Sequence, residues 1–214
     1  MKNILIIGAS EFGKHLANFF IELHNEVMLV DKSQELVDEL AHEYENILIA
    51  DCRNKHAIEQ LGVNHYDICV VAVGESFQDS LEITANLKES AAKYIISQCN
   101  SDIQAKFLMM AGADKTIFTE KEAAEKVANL YNDDKTLDYI SLNEDYIIVK
   151  IKVPAKWIGY TLPELDLRNK YHINVLAVES YNQFSLPGVS SKFEKDNLVM
   201  ILGSRDSIAK FLKR

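Results

Sequence analysis

Along the first half of the chain, short apolar runs alternate with stretches whose apolar residues recur every three or four positions. Residues 3–7 form an apolar run rich in β-branched side chains, broken by Gly8-Ala9-Ser10-Glu11-Phe12-Gly13. A helical pattern follows with Phe12, Leu16, Phe19, Phe20 and Leu23 on one face, and His24-Asn25 closes it. Residues 27–30 are a second apolar run, ending at Asp31. Ser33 can cap a helix running to about Tyr44. Residues 47–50 read as a third strand, and a short helix after Asp51 stops at Gly62. Residues 68–73 are apolar throughout, the mark of a parallel strand covered on both faces, and Gly74 ends them. Helix over 76–90, strand over 94–98, helix over 101–111, strand over 116–118 and helix over 120–131 complete the series, the last with Ala123, Ala124, Val127 and Leu130 on its apolar side. Six strands alternating with helices predict an α/β fold, a Rossmann-like doubly wound parallel sheet.

The texture changes at Asn132-Asp133-Asp134-Lys135, which is polar and helix-breaking. Beyond it, residues 137–142 and 146–153 read as strands, the second with Ile147, Val149, Ile151 and Val153 on one face. Thr161 caps a helix with Pro163 in its first turn, running to about Tyr171. Strands over 174–179, 184–186 and 198–202 and a helix over 206–213 complete a small α+β domain. The division expected is 1–135 and 136–214.

Charge sharpens that division. Residues 1–135 carry 12 Lys and Arg against 23 Asp and Glu, whereas residues 136–214 carry 11 against 9. An acidic first half argues against docking on nucleic acid or anionic lipid by charge. No stretch approaches the roughly 20 apolar residues that span a bilayer, and Lys2 leads straight into a core strand rather than a secretory pattern. The expected location is cytoplasmic. Cys52, Cys69 and Cys99 are an odd count without C-x-x-C spacing and read as buried small hydrophobes.

Strand, glycine turn, helix, strand and acid in this register form a dinucleotide-binding layout. Gly8 permits the tight turn, Gly13 lets the helix pack closely, and the helix N-terminus offers N–H groups to a phosphate. Asp31, 18 residues past Gly13, is placed to accept from ribose hydroxyls. Ser10 stands where the middle glycine of that fingerprint would be. Gly8, Asp31, Asp51 and Gly74 all fall at strand ends facing one crevice. Catalytic machinery is scarce. Phe12 occupies the position where a nucleophile elbow needs glycine, and the six histidines show no metal-ligand spacing. Only His172 offers itself in the C-terminal unit as the acid or base a dehydrogenase requires.

Residues 1–135 resemble the regulator-of-potassium-conductance (RCK, or KTN) nucleotide-binding domain. The resemblance rests on residues 6–13, Val30-Asp31, Ile49-Ala50-Asp51, residues 70–74 and Ala111-Gly112-Ala113-Asp114. Residues 136–214 resemble the companion C-terminal RCK domain through residues 165–171 and 196–203. Order and length together are similar to the cytosolic gating subunits of Ktr-type bacterial potassium uptake systems, which are Trk-related. The resemblance implies a non-enzymatic regulatory subunit, peripheral to the inner face of the membrane through a multi-spanning potassium-translocating partner. It implies homodimers assembling into an octameric ring, with residues 120–131 as a crossover helix. It also implies ATP or ADP, or NAD or NADH, held by Gly8, Ser10, Glu11, Phe12, Gly13, Asp31 and Lys32, with Asp51, Cys52, Val73, Gly74 and Gln98. Glu120 matches an acid that can ligate a divalent cation. Related C-terminal domains bind cyclic di-AMP, and the matching positions here are Leu162, Leu165, Arg168, Ile173, Asn174 and Pro187. The chain departs from the family at Ser10, at Glu11 where Arg is common, and at Gln98 where a basic residue is common. The alternatives are an NAD(P)-dependent oxidoreductase and a nucleotide-sensing module with another partner.

Overall fold

A computed structural model describes residues 1–74, 76–132 and 134–213. The chain forms two compact units, Met1–Lys121 and Glu122–Arg214.

In the first unit, β1 (Asn3–Ile7), β2 (Glu26–Asp31), β3 (Ile47–Ile49), β4 (Ile68–Val71), β5 (Ile95–Gln98) and β6 (Lys115–Ile117) form one sheet in the order β3-β2-β1-β4-β5-β6. All its pairings are parallel. Parallel neighbours need crossovers, and α1 (Glu11–Glu22), α2 (Gln34–Leu40), α3 (Lys55–Gln60), α4 (Phe77–Glu89) and α5 (Asp102–Ala111) supply them. The period of two along a strand sends alternate side chains to opposite faces. Leu5, Ile7, Cys69, Val71 and Ile95 accordingly join one buried cluster with Leu87 and Leu108. Ile4, Ile6, Leu29, Val70 and Ala72 join another with Ala17. Cys52, Cys69 and Cys99 are all buried.

Three expectations shift in detail. On α1, Phe12, Leu16 and Phe20 pack on the core, but Phe19 and Leu23 are 60% and 70% exposed. The buried stripe passes instead through the small residues Gly13 and Ala17, which let the helix lie close to the sheet. The second helix stops at Leu40, and a turn beyond it buries Tyr44, whose hydroxyl donates to the Lys14 carbonyl. The fourth strand ends at Val71, because Ala72 and Val73 already turn into the loop that carries Gly74.

In the second unit, β7 (Thr136–Ser141), β8 (Tyr146–Lys152), β9 (Ile173–Ser180), β10 (Gln183–Ser185) and β11 (Leu198–Ser204) form an antiparallel sheet in the order β10-β9-β11-β8-β7. Its inner face (Ile147, Val149, Ile151, Val199, Ile201) packs on Trp157, Phe193 and Phe211. The helix expected from Thr161 to Tyr171 is two short pieces, α7 (Leu162–Leu165) and α8 (Leu167–Tyr171). Asp166 between them is left-handed, with φ 49°, a conformation that Asp tolerates better than most residues. The kink turns Leu167 into the core, where it is 4% exposed.

The division between the two units falls within α6 (Thr119–Tyr131), after Lys121, where the expectation put it after residue 135. Glu125 of this helix makes a contact inside the second unit. Its carboxylate accepts from Arg205, at the start of α9 (Arg205–Leu212). Asp133, in the expected linker, lies outside the described residues.

Candidate functional site

The strand order reverses between β1 and β4, and crevices at such points open beyond the carboxyl ends of the strands. Gly8 leaves β1 there with φ 104°, its amide donating to the Val30 carbonyl at 2.8 Å. A Cβ on Gly8 would lie 2.8 Å from the Ala72 carbonyl oxygen, and one on Gly13 only 2.1 Å from the Gly8 carbonyl oxygen. Both positions therefore demand glycine. Ser10 is accommodated because its side chain has work in the turn. Its hydroxyl donates to the Ala72 carbonyl at 2.9 Å and accepts from the Gly13 amide at 3.3 Å, capping α1 and tying the turn to β4. The amides of Glu11 and Phe12, in the first turn of α1, have no intrahelical acceptor, the arrangement that offers N–H groups to an anion.

Below this turn lies a cleft of about 330 Å³. The sequence-predicted residues Gly8, Ser10, Asp31, Lys32, Asp51, Cys52, Val73 and Gly74 line it. Asp31 Oδ2 accepts from the Ala9 amide and Oδ1 from the Ser33 amide, each at 2.8 Å. An ionised carboxylate has about four acceptor sites, so each oxygen keeps a lone pair for a further donor. Across the cleft, Lys32 pairs with Asp79 at 2.8 Å, Arg53 lies 3.6 Å from the same carboxylate, and Arg53 also binds Asp51 at 2.6 Å. The hydrogen bond from Lys32 holds the Asp79 carboxyl below its usual value, and that from Arg53 does the same for Asp51. Burial pushes the Cys52 thiol up to about 12, so it lines the wall as a neutral thiol and not as a nucleophile.

Arg53 and Asp79 were not singled out by the sequence. Arg53 follows Asp51 by two residues, and Asp79 occupies the first turn of a helix capped by Ser76 at a strand end. A search for acids and cations just past each apolar run would have found both.

Four of the residues expected to hold the nucleotide, and Glu120 expected to hold a metal, do not line the cleft. Glu11 turns outward to Lys14 at 2.5 Å, because its place in the first turn of α1 puts a salt-bridge partner three residues on. Phe12 packs on the core, and Gly13 serves the close approach already described. Gln98 is buried behind Gly74, where a Cβ would meet the Gln98 amide at 3.1 Å. Its Nε2 donates to Thr119, and its Oε1 is buried without a partner. Glu120 is exposed and accepts from the Thr119 hydroxyl at 2.9 Å. Among the described residues, no group of three or more His, Cys, Asp or Glu could hold a metal ion.

In the second unit, Ile173 is fully buried, and Leu162 and Leu165 pack against the same core. Arg168 on α8 and Asn174 on β9 are exposed, and Pro187 is half-buried. Among the described residues, no helix is long and apolar enough to cross a membrane.

Comparison with known proteins matches two stretches of the chain. Residues 4–119 match the TrkA-N domain and residues 146–214 the TrkA-C domain. The chain is 29% identical over 214 residues to the Ktr system potassium uptake protein C of Bacillus subtilis (strain 168), covering 100% of this chain and 97% of that one. Among solved structures, the GsuK channel bound to NAD aligns with a TM-score of 0.69 at 15% identity, over 99% of this chain and 39% of that one. The GsuK protein bound to ADP aligns with a TM-score of 0.55 at 15% identity, over 63% of this chain and 36% of that one. These two likenesses are likenesses of fold.

Proposed function

The chain belongs to the family that carries a TrkA-N domain followed by a TrkA-C domain, and on that premise we propose that it is a nucleotide-responsive regulatory subunit of a potassium uptake system. The observation that carries the nucleotide reading is the cleft at the β1/β4 reversal. There, Asp31 and Asp51 stand at the ends of adjacent strands and the amide-rich start of α1 overhangs them. Asp31 is the ribose acceptor, the Cys52 and Leu36 walls take the adenine, and the α1 terminus takes the phosphates. Lys32 and Arg53 stand in part for the cations missing at Glu11 and Gln98. Asp51 and Asp79 are each paired with a cation, Arg53 and Lys32, which suits a binder more than a group poised to move a proton.

The nucleotide acts by binding two shapes of an oligomer with different affinities, since equal affinity shifts nothing. The oligomer is a homodimer-built ring seated on a multi-spanning potassium-translocating subunit. A divalent cation at Glu120 would draw its remaining ligands from nucleotide phosphate or a second copy. Arg168 and Asn174, exposed on neighbouring elements, are the polar groups offered to cyclic di-AMP in the second unit.

Calorimetric titration of the full chain with ATP, ADP, NAD and NADH tests the reading. Saturable binding by at least one is expected, and no binding by any overturns it. Co-purification with a potassium-translocating membrane protein, and nucleotide-dependent flux in vesicles holding both, test the partner.

A further inference from the structure

Charge and closure at the β1/β4 cleft bear on how much of a nucleotide it can seat. Among the described residues, its lining holds three acids, Asp31, Asp51 and Asp79, and two cations, Lys32 and Arg53. Both cations are already committed. Lys32 pairs with Asp79, and Arg53 binds Asp51 while lying 3.6 Å from Asp79. Asp31 is held by the amides of Ala9 and Ser33. The lining therefore has more acid than base and offers no surplus positive charge. Past the turn, Glu11 stands at the start of α1 with its side chain 78% exposed, and it takes up Lys14 at 2.5 Å. What favours an anion here is the free amides of α1, and that attraction fades within the first helical turn. It reaches one phosphate seated on the turn, not two more strung beyond it.

The other side of the crevice is filled. A dinucleotide lies across both halves of a doubly wound sheet, yet among the described residues none of β5 or β6 lines the cleft. The carboxyl end of β5 is tied up instead. Gln98 is buried behind Gly74, and Asn100 Nδ2 donates to the Gly74 carbonyl at 2.5 Å. A second nucleoside finds no seat there.

Resting on the nucleotide reading above, we propose that the cleft is a nucleoside monophosphate site, selective for AMP over ATP and NAD. The adenosine lies against Leu36 and Cys52 with its ribose at Asp31, and the single 5′-phosphate sits on the α1 amides. Each further phosphate leaves those amides and faces Glu11, and a second nucleoside meets Gly74 and Asn100. The regulatory signal is then the least phosphorylated adenine nucleotide.

Calorimetric titration of the full chain with adenosine, AMP, ATP and NAD tests the ranking, with chelator present so that no divalent cation masks the phosphates. AMP is expected to bind about tenfold tighter than each of the others, the scale of one unscreened charge contact near a protein surface. The gap between AMP and ATP should narrow as salt is raised, because exposed charges are screened; a purely steric exclusion would not respond. Glu11→Arg, at an exposed position outside the cleft lining, should bring ATP level with AMP and leave AMP nearly unchanged. Circular dichroism keeps folding of the variant out of the comparison. Adenosine, ATP or NAD binding as tightly as AMP, a gap that ignores salt, or an equal change of AMP and ATP in the variant overturns this inference and leaves the nucleotide reading standing. No binding by AMP, ATP or NAD overturns both.

Discussion

Asp31 shows how one side chain can tie two loops together and still line a cleft. Its two oxygens hold the amides of Ala9 and Ser33, joining the loops after β1 and β2. Asp31→Ala therefore has two expected costs. Adenine-nucleotide affinity should fall by about 1.5–3 kcal/mol, the range for hydrogen bonds to a charged group. The free protein should also lose about 1–3 kcal/mol of stability, as the part-buried Ala9 amide loses its acceptor. Calorimetry reads the first and urea denaturation the second; a variant that loses affinity at unchanged stability would show that the loops do not depend on this carboxylate. Asp79 differs, because its partners are cations and not amides. Asp79→Asn should release Lys32 and Arg53 toward the cleft. It should tighten ADP more than adenosine, because only the phosphates gain from the freed charge.

At the scale of elements, the β1–α1 turn concentrates the most demanding geometry. Ser10 replaces a glycine of the fingerprint yet caps α1, so Ser10→Ala should cost about 1 kcal/mol and Ser10→Gly only a few tenths, measured by chemical denaturation. Gly13→Ala is a different case, since the new methyl would meet the Gly8 carbonyl at 2.1 Å. Either α1 moves off the sheet or the turn opens. The variant is expected to lose more than ~2 kcal/mol and nucleotide binding together; near-wild-type values for both would refute the close packing.

On the scale of the whole molecule, charge and assembly decide behaviour. The carboxyls of Asp51, Asp67 and Asp79 are all held below their usual value, chiefly by Arg53, by the Asn3 amide and by Lys32 respectively. Depressed folded-state values mean that these groups stabilise the fold above the unfolded value of about 3.9. That contribution is lost as pH falls through the lower, folded values. Urea midpoints should thus be flat between about pH 5 and 7 and fall below about pH 4, and Asp79→Asn should flatten the drop. Among the described residues of α6, none is buried, and Val127 is 56% exposed. A helix with an apolar side left open suits completion by a second copy, and light scattering of the purified chain should give a dimer or larger. A monomer with and without nucleotide would contradict that assembly.

The sequence by itself determined the elements and their order. Period-two and helical patterns are local, and so are the caps at Ser33, Ser76 and Ser101, each of which accepts from the helix it precedes. Gly8, Asp31, Asp51 and Gly74 were legible at one crevice because parallel topology brings successive strand ends to the same edge. Only the tertiary structure decided which side chains line that crevice. Rotamer and packing choices depend on neighbours distant in the chain, as when Glu11 turns to Lys14 and Gln98 slides behind Gly74. The pairing of Asp79 with Lys32, 47 residues away, carries no periodic signal. The break at Asp166 has the same origin. Its local pattern favours one continuous helix, and burial of Leu167 against a core assembled from β8, β11 and α9 outweighs it.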